Sequence, residues 1–179
     1  MTPFKPKPLQ LLVGVVVLLT LVELVNLITG RSLVTFGILP RTVSGLQGIL
    51  FAPFIHGSFT HFLSNLLPLC VLMYLLSLGG INRLLWVSVL AMLLTGFSVW
   101  LLGGQGYHVG ASGLVYSYFG FLVVNGFASK NIKQLLIAIV TIVFYGGLIF
   151  GVFPGKTGIS WESHLLGMLV GGVLGYRLK

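Results

Sequence analysis

The residues of this sequence that could do chemistry are few, and several stand at the start of an apolar stretch. The chain has four histidines, two glutamates and no aspartate. Ser112 stands in Gly110-Ala111-Ser112-Gly113, while His164 and the pair His61 and Asn65 begin two other apolar stretches. A serine hydroxyl becomes a nucleophile when an imidazole acts as its general base. These residue types predict acyl-transfer chemistry with Ser112 as nucleophile and His164 as base.

Other hydrolytic mechanisms fit the sequence less well. A zinc protease of the His-Glu-x-x-His type needs a glutamate beside its histidines, and none stands there. An aspartyl protease needs two aspartates, which the chain lacks. A copper or zinc site made of histidines alone stays open, although His56, His61 and His164 lack the spacing of a known motif. We expect neither a metal nor another cofactor.

The sequence favours a dyad over a triad. The carboxylate nearest to His164 in sequence is Glu162, which on a helix points about 200° away from it. The other glutamate, Glu23, lies in the middle of the first apolar stretch. Another group must therefore orient the imidazole. Tyr116, one turn after Ser112, is expected to stack against it.

An oxyanion site is expected next to the serine. His61 and Asn65 are four residues apart and share one face of a helix, and both side chains can donate hydrogen bonds. The first turn of a helix at Ser112 offers free backbone N–H groups as well. The small residues Gly110 and Gly113 allow a substrate backbone to approach closely.

Composition indicates that lipid is the solvent for much of this chain. Hydrophobic residues make up 56% of it and charged residues 7%, whereas a soluble domain carries about 25% charged residues. The net charge of +8 would suggest nucleic-acid binding on a soluble protein. Here the basic residues flank apolar stretches, so we expect a lipid bilayer and no nucleic acid as partner.

Six apolar stretches predict an all-α membrane protein with six transmembrane helices in one domain, residues 1–179. Each stretch is close to the roughly 20 residues that a spanning helix needs. The second, fourth and sixth run in the same direction, so their polar starts share one depth near the outer face. The predicted spans are Leu9–Thr29, His61–Leu78, Leu84–Leu102, Ala111–Ala128, Gln134–Phe153 and Trp161–Leu178.

Glycines in the sixth stretch predict how the serine and the histidine meet. Gly167, Gly171 and Gly175 share one helix face with His164. A glycine groove of this kind lets another helix approach closely. The expected partner is the fourth stretch, because that contact brings Ser112 to His164.

Other polar residues are given structural roles. We expect His56 to brace a loop and His108 to lie at the interface without a role. Glu23 is expected to face the bundle interior as a structural group near Thr20 or Asn26.

These motifs resemble the rhomboid family of intramembrane serine proteases. The resemblance covers the chain from about Leu46 to its end and rests on three segments in order. They are His56-Gly-Ser-Phe-Thr-His61-Phe-Leu-Ser-Asn65, Gly110-Ala111-Ser112-Gly113 with Tyr116, and His164-Leu-Leu-Gly167-Met-Leu-Val-Gly171. The resemblance implies that Ser112 is the nucleophile, His164 the base, and His61 and Asn65 oxyanion groups. It also implies transmembrane proteins as substrates, and the fifth stretch as their gate.

One feature of that family is absent. Many members carry a Trp-Arg pair in the first outer loop, where this chain has Leu39-Pro40-Arg41-Thr42. Arg41 is the residue that could replace part of that structure.

We expect a multi-pass protein of the bacterial inner membrane, because no transit peptide is seen. Neither the substrate's identity nor the oligomeric state follows from the sequence.

Two other functions stay open. An inactive rhomboid-like protein that binds membrane clients typically lacks the serine or the histidine, and both are present here. A small transporter needs polar groups through the whole bilayer, whereas these cluster at one depth.

Basic residues predict that both termini are cytoplasmic, because that side of a membrane protein is enriched in Lys and Arg. This orientation places seven basic residues inside and three outside. The inner ones are Lys5, Lys7, Arg83, Lys130, Lys133, Arg177 and Lys179, and the outer ones Arg31, Arg41 and Lys156. A reporter that is active only in the cytoplasm should therefore be active when it is fused at Lys179. Activity of an export-dependent reporter there would contradict this topology.

Overall fold

Helices make up all the regular elements in the part of the chain that the structure, a computed structural model, describes: residues 8–155 and 160–179. One isolated antiparallel bridge joins Ile38 to His108. The α-helices are α1 (Pro8–Ile28), α2 (Gly48–Phe51), α3 (Phe59–Ser77), α4 (Ile81–Leu102), α5 (Ser112–Ala128), α6 (Ile132–Tyr145) and α7 (Trp161–Arg177). Short 3-10 helices cover Ser32–Phe36, Ser44–Gln47, Ala52–Phe54 and Gly146–Val152.

Four helical segments are long and apolar enough to cross a membrane: α1, α3, α4 and α6 with its 3-10 extension to Val152. The helices α5 and α7 have 17 residues each. Much of the apolar surface faces outward, as at Leu21 and Ile28, whose side chains are exposed. Lipid is the solvent that suits such a surface. The six long helices coincide with the six predicted stretches, while six complete crossings stay a prediction.

The central helix is α5, which packs against α3, α4, α6 and α7. Polar contacts to α4 help to fix it there. The Ser88 and Tyr118 hydroxyls lie 2.7 Å apart, and those of Thr95 and Ser117 lie 3.1 Å apart. Because α5 is buried among its neighbours rather than in lipid, a 17-residue helix suffices at this position.

The most extensive helix contact joins α5 to α7, and it depends on glycine. A Cβ atom on Gly167, Gly171 or Gly175 would collide with the carbonyl oxygen of Gly113, Ser117 or Phe121, respectively. The glycine groove expected from the sequence therefore exists, and it faces α5. It holds the first turn of α7 beside the first turn of α5.

Several element boundaries differ from the sequence prediction, including that of α4, which begins at Ile81 rather than at Leu84. Two of the differences have an identifiable local reason. The helix expected over Gln134–Phe153 runs as an α-helix only from Ile132 to Tyr145 and continues as a 3-10 helix over Gly146–Val152. Glycines in this segment weaken the α-helix. The helix expected from His61 begins at Phe59, because the Ser58 side chain accepts a hydrogen bond from the His61 N–H at 3.1 Å.

The loop between α1 and α2 is fixed to the end of α4. Arg41 has a left-handed backbone (φ 59°), and its guanidinium donates to the carbonyls of Leu101 (3.2 Å) and Gly103 (2.8 Å). Trp100 donates its indole N–H to the Thr42 carbonyl at 2.8 Å. The loop thus satisfies carbonyls that the end of a helix leaves free. The topology-determining residues Lys5, Lys7 and Lys156 lie outside the described residues.

Two adjacent glycines of α7 provide a test of this packing. Gly171→Ala should lower stability by about 1–3 kcal/mol, because its Cβ meets the main chain of Ser117. Gly172→Ala is the matched control, since its Cβ would meet only Val124 Cγ2 at 3.4 Å. That change should be neutral or slightly stabilising, because alanine favours the helix. Thermal unfolding in detergent measures both, and equal effects would contradict the glycine contact.

Candidate active site

Five of the residues singled out in the sequence line one cavity of about 740 Å³: Ser112, His164, His61, Asn65 and Tyr116. The starts of α3, α5 and α7 meet there. Gly110 and Gly113 flank this part of the chain but line a separate, smaller cavity, and Gly167 and Gly171 lie in the α5–α7 contact. The polar groups of three helices therefore gather at one end of the bundle.

A main-chain carbonyl and an aromatic ring orient the imidazole of His164. Its Nδ1 donates to the Gly151 carbonyl at 2.9 Å, because a carbonyl can only accept. The tautomer is thereby fixed with Nε2 as the unprotonated nitrogen. Tyr116 stacks on the ring with centroids 4.1 Å apart and planes 7° apart, as predicted. The His164 ring is thus oriented by a main-chain carbonyl and an aromatic ring rather than by a carboxylate.

Gly151 is the contributor that sequence reasoning missed in this role. A Cβ at this position would collide with the Tyr116 hydroxyl and lie 3.3 Å from His164 Nδ1. The only sign of this role in the sequence is that position 151 is a glycine. Glu162 also lines the cavity, but no hydrogen bond joins it to His164 among the described residues. This geometry agrees with a dyad.

Ser112 is the first residue of α5. In the described structure its hydroxyl and its N–H have no hydrogen-bond partner, nor does the Gly113 N–H. These groups could serve the nucleophilic and oxyanion roles, since free N–H groups at a helix start can receive negative charge. No hydrogen bond yet joins Ser112 Oγ to His164, and such contacts are often long without substrate.

His61 and Asn65 lie on the α3 side of the cavity. The His61 ring packs directly on Gly110, where a Cβ would lie 2.6 Å from Cε1. Gly110 also has a φ of +114°, which favours glycine. Asn65 donates one amide hydrogen to the His61 carbonyl at 2.7 Å, which leaves its second hydrogen free to donate.

His56 braces the loop before Ser112, as the sequence predicted. Its Nε2 accepts the N–H of Ala111 at 3.3 Å, and its ring meets His61 edge-on with centroids 5.2 Å apart. Burial, and then the charges of His61 and Arg31, lower the pKa of His56 to about 3. The ring is therefore neutral near pH 7 and able to accept.

Glu23 has a partner that the sequence analysis did not identify. Its carboxylate is buried, as predicted, and it pairs with Arg31 at 2.7 Å. The chain reverses after α1 through Arg31, whose left-handed φ of 68° returns the guanidinium to the helix.

The expectation that His108 is an idle interfacial residue was also wrong. The side chain is buried. Its Nε2 donates to the Gly104 carbonyl at 3.1 Å, so its Nδ1 accepts from the Ser160 hydroxyl at 2.6 Å. It connects the loop before α5 to the residue before α7. Sequence position gave no sign of that contact.

No group of three or more His, Cys, Asp or Glu side chains that could hold a metal ion occurs in residues 8–155 and 160–179.

Comparison with known proteins gives one family and several relatives. A family model described as Rhomboid domain matches residues 43–179. An uncharacterized protein of Mycobacterium tuberculosis is 37% identical over 173 residues, which cover 92% of this chain and 72% of the relative. An uncharacterized protein of Mycobacterium leprae is 36% identical over 171 residues, covering 90% and 68%.

Serine reactivity can be measured directly on this cavity. A fluorophosphonate probe should label Ser112, because its hydroxyl is free and a base stands nearby. His164→Ala should slow labelling by ~100-fold or more, the usual contribution of a general base. Ser64 is the matched control, since it lines the same cavity but donates to the His61 carbonyl at 2.9 Å. Ser64→Ala should label like the unsubstituted protein, and persistent labelling of Ser112→Ala would contradict the assignment.

Proposed function

The chain belongs to the rhomboid family, and on that premise we propose that it is an intramembrane serine endopeptidase. It would cut transmembrane segments of other membrane proteins near the outer membrane face. The observation that carries the proposal is the cavity that holds both Ser112 and an imidazole oriented by Gly151 and Tyr116. The family match and the long apolar helices make the chain an integral membrane protein.

In the proposed mechanism, Ser112 Oγ attacks the carbonyl carbon of the scissile bond while His164 Nε2 takes the hydroxyl proton. Negative charge develops on the carbonyl oxygen and is stabilised by the free N–H of Ser112, with His61 and Asn65 as further donors. His164 then gives its proton to the departing amine. Water, deprotonated by His164, hydrolyses the acyl-enzyme and releases Ser112.

The neutral Gly151 carbonyl has a limited electrostatic role in this mechanism. It fixes the tautomer of His164, as the carboxylate does in a triad, but offers only a dipole to the imidazolium that forms. Stacking on Tyr116 adds attraction between a cation and an aromatic face. We therefore expect slower chemistry than in a triad enzyme, with no cofactor needed.

Substrate entry from lipid is proposed to occur at α6 and its 3-10 extension, the gate segment (Ile132–Val152). A spanning helix cannot leave the membrane, so it must reach the cavity sideways. The gate segment has exposed aromatic residues, Phe144 and Phe150, and loses its α-helical form from Gly146 onward. A 3-10 helix has poorer hydrogen-bond geometry than an α-helix, which makes this end the easiest to displace.

The placement of the protein in the membrane is part of the same proposal. We infer six spans in a single domain of residues 1–179, with both termini cytoplasmic and the site near the outer face. The bacterial inner membrane is the proposed location, and the relatives compared are mycobacterial.

A non-catalytic, client-binding role is the second candidate. It is favoured by one observation, the absence of a hydrogen bond between Ser112 and His164 in the described structure. A transporter is less suited to the site, since the polar groups of the cavity gather at one end of the bundle. Cleavage of a transmembrane substrate that Ser112→Ala abolishes would exclude both.

The dyad predicts a non-additive pattern of losses. Ser112→Ala and His164→Ala should each abolish cleavage, and the double variant should be no worse, because the two groups act as a unit. Glu162→Gln should be nearly silent, since no hydrogen bond joins Glu162 to His164. A fluorogenic transmembrane substrate measures turnover, and thermal unfolding of each variant is the folding control. A loss of ~100-fold or more in Glu162→Gln would establish a triad instead.

The cavity also predicts where the substrate is cut. Cleavage should fall close to the outer face, after a small residue, which the close surroundings of Ser112 in Gly110–Gly113 favour. Glycine or proline below the cut should help, because each lowers helix stability, by about 1 and 3 kcal/mol respectively, and the substrate must unwind. Mass mapping of the products decides this. Cuts near the cytoplasmic face, or undiminished cutting after the helix breakers become leucine, would refute the model.

A further inference from the structure

We propose that Glu23 and Arg31 are positioning residues that set the geometry of the nucleophile loop through His56. The inference rests on the proposed function, because it assigns these two residues to the same hydrolytic centre. On this inference α1 affects the rate of cleavage, although none of its residues lines the cavity.

The contacts begin with a buried ion pair. Glu23 is only 3% exposed and meets Arg31 Nη1 at 2.7 Å. Ionisable groups within a membrane helix are costly and usually functional. Glu23 Oε2 is also buried without a partner among the described residues. Packing α1 against the bundle would not require a group that is so incompletely satisfied.

The next contact joins the ion pair to the residue before α3. Arg31 Nη1 also donates to the His56 carbonyl at 3.1 Å. Asn26, in the last turn of α1, donates to the same oxygen at 2.8 Å. Two donors from α1 and its turn thus hold the main chain of His56, and Glu23 holds one of those donors.

The last contact reaches the nucleophile. His56 Nε2 accepts the Ala111 N–H at 3.3 Å, and Ala111 immediately precedes Ser112. The His56 ring also lies edge-on to His61. A shift of His56 would therefore displace both the first turn of α5 and the ring of His61. Both are proposed to stabilise the oxyanion.

Kinetics of cleavage separate positioning from simple anchoring of α1. Glu23→Gln and Arg31→Gln should each lower kcat about tenfold with KM changed less than twofold, a fraction of the ~100- to 1000-fold cost of losing an oxyanion donor. The double variant should be no worse than Arg31→Gln. Arg41→Gln is the matched control, since Arg41 is also left-handed and bonds two carbonyls, but at the end of α4. Arg41→Gln should change kcat less than twofold. In the double variant of Arg41→Gln and Glu23→Gln, the fold-decrease in kcat should equal the product of the two single fold-decreases.

Every variant is assayed well below its unfolding temperature in the same detergent. Asn26→Ser removes the other donor to the His56 carbonyl, together with the Oδ1 acceptor of the Leu33 N–H, and keeps both members of the ion pair. It should also lower kcat, and it carries the test if Glu23→Gln does not fold. Partial recovery of kcat in Arg31→Lys relative to Arg31→Gln supports the proposal, because the cation is kept.

Several results would overturn the inference. Unchanged kcat in Glu23→Gln or Asn26→Ser, with only a lower unfolding temperature, would leave the pair as an anchor for α1. Multiplicative losses in the double variant would show that Glu23 and Arg31 do not act together. Absence of turnover in the unsubstituted protein, or turnover that survives Ser112→Ala, would overturn the proposed function itself and the inference with it.

Discussion

Glycine main chain on one face of α7 lies directly against carbonyl oxygens of α5, and this contact determines where the site residues stand. Three successive turns of α7 repeat it, at Gly167, Gly171 and Gly175. Any side chain at these positions would separate the two helices. Because Ser112 begins α5 and His164 lies in the first turn of α7, the separation of these helices is also the separation of the proposed nucleophile and base.

A second constraint comes from the scarcity of charged side chains in a lipid-facing bundle. Polar side chains here are satisfied mainly by main-chain groups. His164 donates to the Gly151 carbonyl, His56 accepts from the Ala111 N–H, and Asn65 donates to the His61 carbonyl. Main-chain dipoles need no counter-charge and carry little desolvation cost compared with a buried ion. The single buried ion pair, among the residues described, stands out against this background.

The features that could be predicted from the sequence are those that side-chain type and periodicity encode. Apolar length indicated the six helices, and helical pitch placed the α7 glycines and His164 on one face. Helical pitch also gave the stacking of Tyr116, whereas the bracing role of His56 was expected from its position in a loop. The orienting role of Gly151 was missed because every residue has a main-chain carbonyl, so the residue type does not show which carbonyl accepts a hydrogen bond. The Arg31 partner of Glu23 was missed because arginine rarely adopts a left-handed backbone, and the turn at Arg31 depends on tertiary contacts.

The position of Gly151 couples two events that are usually considered apart. Its carbonyl orients the imidazole, yet it belongs to the 3-10 part of the gate segment. Displacing that segment to admit a substrate would withdraw the acceptor from His164 Nδ1 and free the ring to rotate or change tautomer. The open protein would then hold a poorly aligned base, and alignment would return only when the segment closes over the bound chain. In the proposed protease, this arrangement would prevent premature cutting, because a membrane protein that only touches the opening would meet a base that is not yet aligned.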